Sequence, residues 1–195
     1  MITTLVSILA LGAFHGTPLT CPVMGGKVDH KLPGTDYNGV RYGFCCPACK
    51  APFEKDPKKA LATEKNKGKT LGAFLFDPVS GNRLEHDKAV AVYSDFGGVR
   101  YMFEKEENKA TFDKDPKKYG TLPEKEALYC PVSKEVVASY ADASGYVDHK
   151  GVRYYMCCPG CETKFAQKPD EYAAASTNFV KLPAVANPKA KEAAK

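Results

Sequence analysis

Eight cysteines fall into two sets of four in this 195-residue chain: Cys21, Cys45, Cys46, Cys49 and Cys130, Cys157, Cys158, Cys161. In each set one cysteine opens a Cys-Pro-Val step and three follow in a Cys-Cys-Pro-x-Cys run. A remote cysteine joined to two or three from a compact run can close three or four sulfur positions around a soft ion. Adjacent cysteines point in different directions, so one of each pair is expected to be a main ligand. The other then gates, exchanges or completes the set. The same residues suit two other chemistries. An even cysteine count in an exported protein suits structural disulfides, and Cys46-Pro47-Ala48-Cys49 and Cys158-Pro159-Gly160-Cys161 have the Cys-Pro-x-Cys form of thiol-disulfide enzymes. Energy favours the metal in a small unit, since a structural zinc supplies about 10–16 kcal/mol and one disulfide about 2–4 kcal/mol.

The cysteines ride on a threefold repeat. Gly39-Val40-Arg41-Tyr42, Gly98-Val99-Arg100-Tyr101 and Gly151-Val152-Arg153-Tyr154 are followed at equal offsets by Phe53, Phe112, Phe165 and by Pro57, Pro116, Pro169. Upstream, Cys21-Pro22-Val23, Asp77-Pro78-Val79 and Cys130-Pro131-Val132 open the three copies, with Lys27, Arg83 and Lys134 close behind. The middle copy has Asp77, Glu104 and Asn108 where the others have cysteines. That trio is read as a retired site with polar surface, the alternative being an oxygen site for a harder ion. Repeat units of roughly 45 to 55 residues bury too little apolar surface to stand comfortably alone.

The pattern expected for each unit is short strands, then a short helix. Gly-Val-Arg-Tyr alternates as a half-buried strand does, after a turn at Asn38, Gly97 or Lys150. The proline after the cysteine pair fits the first helical position, with Cys46 or Cys158 near the N-cap, where helix N–H groups favour the thiolate. Pro52 predicts a short or distorted first helix, and Pro57, Pro116 and Pro169 are read as helix ends. Residues 62–69 and 120–127 read as linkers. The middle unit, without thiols, would rest on its neighbours or on Phe76, Val79, Leu84, Val90, Val92, Tyr101, Phe103 and Phe112.

The net charge of +5, from 28 Lys and Arg against 23 Asp and Glu, is spread along the chain. No helix-turn-helix or paired-histidine finger accompanies it, so no nucleic-acid partner is expected. Lys27, Lys50 and Lys164 are placed to offset thiolate charge. Residues 1–17 carry an apolar stretch of signal-peptide length without a basic start, which predicts a periplasmic or secreted protein and no stable membrane span after removal. Residues 179–195 read as a polar tail.

Cys-Pro-Val near the start, a Gly-x-x-Tyr-x-Phe-Cys stretch, a cysteine four residues later, then Phe and a Pro-x-x-Tyr ending resemble the YHS domain and the related TRASH domain. The resemblance is close in units 18–64 and 126–178 and partial in unit 71–121. It implies an α+β chain of three tandem treble-clef or zinc-ribbon-like units that bind a heavy metal, copper(I) or zinc, for sequestration, trafficking or sensing without turnover. The expected partner is a metal-transport or metal-handling protein. Carried onto this sequence, the family's ligands are Cys21, Cys45, Cys49 and Cys130, Cys157, Cys161. Cys46 and Cys158 stand where the family more often has serine. His30 and His86, at one offset from Cys21 and Asp77, are read as turn histidines rather than ligands.

Overall fold

The computed structural model describes residues 17–84 and 92–186. The first hairpin, β1 (Thr35–Tyr37) and β2 (Val40–Tyr42), is followed by α1 (Lys50–Lys55) and α2 (Pro57–Leu61). After β3 (Gly72–Phe74) comes the second, β4 (Tyr93–Phe96) and β5 (Val99–Met102), followed by α3 (Glu106–Lys114) and α4 (Pro116–Gly120). Then β6 (Lys125–Ala127) and a ribbon of β7 (Tyr129–Cys130) with β8 (Glu135–Val136) lead to the third hairpin, β9 (Gly145–His149) and β10 (Val152–Met156). α5 (Cys161–Gln167), α6 (Pro169–Ala174) and β11 (Val185–Ala186) complete the α+β fold.

All three hairpins turn through a pair of residues with positive φ: Asn38 (52°) and Gly39 (74°), Gly97 (59°) and Gly98 (84°), Lys150 (49°) and Gly151 (78°). Two successive left-handed residues make the type I′ turn, whose twist matches that of the flanking strands. Each hairpin covers a buried phenylalanine from the helix that follows it. Tyr42 meets Phe53 at 5.0 Å, Tyr101 meets Phe112 at 5.0 Å, and Tyr154 meets Phe165 at 5.6 Å between ring centroids. The spacing of those residues had predicted this packing.

The prolines mark helix ends and a short first helix, as their positions predict, and three of them also start a new turn. Pro57, Pro116 and Pro169 end one helix and also open the next, at a first-turn position that needs no N–H. Asp56 and Asp115 cap α2 and α4 by accepting from the N–H groups of Lys59 (3.0 Å) and Lys118 (3.1 Å). Pro52 sits in the first turn of the six-residue α1, where a proline is tolerated.

The segments share an interior. β1, β2, β3, β5 and β4 belong to one six-stranded sheet that β11 extends by pairing with β1, while β10 stands between β6 and β9 in a second sheet. Phe76 packs on Tyr146 and Tyr155, and Phe74 on Tyr101 and Tyr146, at centroid distances of 5.4–5.7 Å. Residues 62–69 and 120–127 are therefore more than linkers. Asn66 is buried and donates to the carbonyls of Pro22 (2.9 Å) and Ala60 (2.8 Å). Glu126 is buried within β6 and accepts from the hydroxyls of Tyr140 (2.7 Å) and Tyr155 (3.3 Å). Likewise Val185–Ala186, inside the segment read as a polar tail, pairs with β1. In each case polar or small side chains disguise backbone held by a sheet or by buried hydrogen bonds.

In the middle segment Phe76, Leu84, Tyr101, Phe103 and Phe112 are buried, with Val79 and Val92 partly so. Val90 and His86 lie outside the described residues, as does the apolar run of residues 1–16.

Candidate metal centre

Three tight turns begin the three segments, and they are built alike. The N–H of Gly25 donates to Cys21 O (2.9 Å), that of Gly81 to Asp77 O (2.8 Å), and that of Lys134 to Cys130 O (2.9 Å). The donor has positive φ each time: 78°, 80° and 64°. Across each turn the flanking residues pair, Thr20 with Lys27, Phe76 with Arg83 and Tyr129 with Val136. Lys134 is thus the counterpart of Gly25 and Gly81 in the turn, and Val136 that of Lys27 and Arg83.

Such a turn aims N–H groups at the side chain that opens it. Asp77 displays the geometry directly. Its Oδ1 accepts from the N–H of Val79 (2.8 Å) and Ser80 (3.2 Å), and its Oδ2 from the N–H of Glu104 (2.9 Å) and from Asn108 Nδ2 (2.7 Å). The corresponding amides bond the sulfurs of the other two segments: those of Val23, Met24 and Cys45 meet Cys21, and those of Val132, Ser133 and Cys157 meet Cys130. Burial opposes ionisation of both thiols, yet these amides, with the Cys49 thiol at Cys21 and the Ser133 hydroxyl at Cys130, bring both pKa values below the usual thiol value. One fold thus builds three anion-accepting pockets, two around sulfur and one around a carboxylate.

Around each knuckle sulfur stand two more. Sγ atoms of Cys21, Cys45 and Cys49 lie within 4.8 Å of one another, as do those of Cys130, Cys157 and Cys161. Sulfurs bonded to a tetrahedral zinc at about 2.3 Å sit about 3.8 Å apart, so small side-chain adjustments bring either trio onto one ion. Cys45 and Cys157 leave the ends of their hairpins, while Cys49 and Cys161 are buried at the start of α1 and α5. Gly26 permits the close approach, since a Cβ there would lie 3.2 Å from Cys45 Cβ and 3.3 Å from its Sγ.

Cys46 and Cys158 stand beside the trios. Cys46 Sγ lies 3.2 Å from Cys49 Sγ, and Cys158 Sγ lies 2.9 Å from Cys161 Sγ. Cys46 stands at the N-cap position of a single 3₁₀ turn over Pro47–Cys49, the place its sequence predicts. Cys158 departs from that prediction: α5 starts later, at Cys161, because Gly160 adopts a left-handed φ of 100° that breaks the turn after Pro159. All eight cysteines are free thiols.

Ionisation is arranged differently from a simple helix-start effect. Contact with Cys49, helped by the amides of Ala48 and Cys49, lowers the Cys46 pKa. Burial raises those of Cys45, Cys49 and Cys161, with the neighbouring thiols adding to it, and holds Cys157 up at about 11. The thiolate of each trio therefore sits at the knuckle.

Residues 20–63 match the YHS domain family model. The matched span holds the first thiol set, Cys21, Cys45, Cys46 and Cys49, together with the knuckle, the β1–β2 hairpin and both following helices. None of the curated proteins and none of the solved structures matches the chain. The YHS match and the two cysteine clusters are together compatible with metal binding.

Sequence reasoning missed some neighbours of the trios. Ser133 Oγ lies 3.1 Å from Cys157 Sγ, and Met156 Sδ lies 4.0 Å from Cys130 Sγ. At the knuckle that Cys21 opens, the ammonium of Lys65 donates to Val23 O. His30 is exposed and outside the trio. Among the described residues no helix is long and apolar enough to cross a membrane.

Proposed function

We propose that this protein takes one soft or borderline metal ion, copper(I) or zinc, at each of two three-cysteine sites and holds it for sequestration or handover. The ligands are Cys21, Cys45 and Cys49 in one site and Cys130, Cys157 and Cys161 in the other, with three tandem YHS-like units as the scaffold. The observation that carries this reading is the middle segment. There the Asp77 carboxylate ties knuckle, hairpin end and helix together by hydrogen bonds. Neither sulfur nor metal is needed to make that scaffold, so the thiols in the other two segments serve something besides folding. A pocket that stabilises one thiolate with three amides and surrounds it with two further sulfurs suits a cation that prefers sulfur.

The same argument weighs against structural disulfides, since the middle segment keeps the architecture without any covalent link. In this reading the protein is exported, and its cargo passes to or from a metal-transport or metal-handling protein. X-ray absorption at the metal edge of zinc-loaded full-length protein tests the donor set. A first shell dominated by sulfur at about 2.3 Å supports it, and a shell of nitrogen and oxygen alone overturns it.

A further inference from the structure

We propose that Cys46 with Cys49, and Cys158 with Cys161, are two oxidisable dithiol pairs through which a small-molecule disulfide discharges the metal sites. The release step rests on the metal-binding reading above; the pairing itself does not. Each pair joins a thiol outside a trio to one inside it, with Sγ separations of 3.2 and 2.9 Å. Exposure divides the roles. Cys158 is exposed and Cys46 partly so, whereas Cys49 and Cys161 are buried. The outer thiol can meet a reagent while the inner one cannot. Both pairs are held by a local turn in which the inner residue's N–H donates to the outer residue's carbonyl, at 3.2 Å for Cys49 and 3.3 Å for Cys161. The middle segment has Lys105 and Asn108 at the same two places and so carries no such pair.

The chemistry balances as ordinary thiol-disulfide exchange. The Cys46 thiolate, its proton given to solvent, attacks one sulfur of RSSR, forming a mixed disulfide and expelling RS⁻. The Cys49 sulfur then uses the electron pair it gave to the metal to attack the Cys46 sulfur, forming the Cys46–Cys49 bond and expelling the second RS⁻. RSSR is reduced by two electrons, the protein dithiol is oxidised by two, and the ion loses one of its three sulfur ligands. Cys158 and Cys161 do the same in the other site.

The test uses full-length protein loaded with zinc, treated with oxidised glutathione in the presence of a chromogenic chelator, with disulfides mapped by peptide mass spectrometry. The expected result is metal release together with Cys46–Cys49 and Cys158–Cys161 bonds, with release slowed by roughly tenfold or more in Cys46→Ser/Cys158→Ser, which still loads zinc. Equal release rates in the parent and this variant, or bonds mapped to other pairs, overturn the proposal. Retention of metal by protein whose two pairs are oxidised overturns the release step. A parent chain that loads neither zinc nor copper(I) before any oxidant is added overturns the metal-binding reading and the release step with it, and the disulfide map of that chain then decides the pairing alone.

Discussion

Asp148 and Arg153 face each other across the β9–β10 hairpin, and the guanidinium Nε and Nη2 each meet a carboxylate oxygen at 2.8 Å. The same fork recurs between Asp36 and Arg41 (2.8 and 2.9 Å) and between Asp95 and Arg100 (2.9 and 2.9 Å), always five residues apart across a type I′ turn. Two parallel charge-assisted bonds fix orientation as well as adding energy, so the pair holds the register that delivers Cys45, Glu104 or Cys157 to its pocket. The surroundings differ. Arg153 is 1 % exposed, with its guanidinium 3.9 Å from the Tyr146 ring centroid and 5.2 Å from that of Phe74. Burial works against its charge, but Tyr146 and Asp148 keep its pKa above the usual value.

Replacing Arg153 with Ala should therefore destabilise the protein by about 3 kcal/mol, chiefly by opening a cavity between two rings, with the loss of the fork to the solvent-exposed Asp148 adding less. Arg100→Ala, at a pair whose two side chains both keep some contact with solvent and whose guanidinium lies over Tyr93 alone, should cost less, about 1 kcal/mol. Urea unfolding followed by circular dichroism measures both, and equal effects would contradict the assignment of Arg153 to the shared interior.

The repeat made much of this legible. Gly-Val-Arg-Tyr announced the hairpin strands, the glycine before it the turn, and the phenylalanine offsets the helix packing. The aspartate of the fork was present in the sequence as Asp36, Asp95 and Asp148, three residues before each turn glycine, but a charged residue in a strand reads as solvent-facing until its partner is placed opposite. Glu126 and Asn66 were hidden for the same reason, since burial of a polar side chain depends on hydrogen-bond partners distant in sequence. Asp77 was legible as a substituted cysteine. Its role was not, because the three amides that meet it are backbone groups, common to every residue type.

The middle pocket should accept a metal once its donors are changed. With Asp77→Cys, Glu104→Cys and Asn108→Cys combined, metal analysis after zinc loading should find one more equivalent per chain than in the parent. An unchanged stoichiometry in a folded variant would contradict the equivalence of the three pockets.

Gly26→Ala should weaken metal binding at the first site alone. A methyl group 3.2–3.3 Å from the Cys45 side chain pushes that sulfur away, while the Gly26 backbone is free of positive φ and the fold should persist. Competition with a chromogenic chelator should show affinity lowered roughly tenfold at one of two sites. Unaltered affinity at both would remove Cys45 from the ligand set.

Metal affinity should climb with pH. Cys45, Cys49 and Cys161 are held above the usual thiol pKa and Cys157 at about 11, so two thiols of each trio carry protons at neutral pH and must release them to bind. The knuckle thiols Cys21 and Cys130 are shifted the other way and ionise first. Apparent affinity should therefore fall steeply as pH drops, by about a hundredfold or more for each pH unit, since at least two protons compete with one ion. Chelator titrations at three pH values between 6 and 8 measure the slope, and a flat profile would mean that the thiols are not the donors.

If the two three-sulfur sites are separate, metal stoichiometry must divide between them. Full-length protein, reduced and loaded with zinc or copper(I), should hold two equivalents per chain. Cys21→Ser/Cys45→Ser/Cys49→Ser should hold one, Cys130→Ser/Cys157→Ser/Cys161→Ser should hold one, and the six-fold variant none. Loss of all metal from either triple variant while it remains folded, or a parent chain that binds no metal, would contradict the two-site reading.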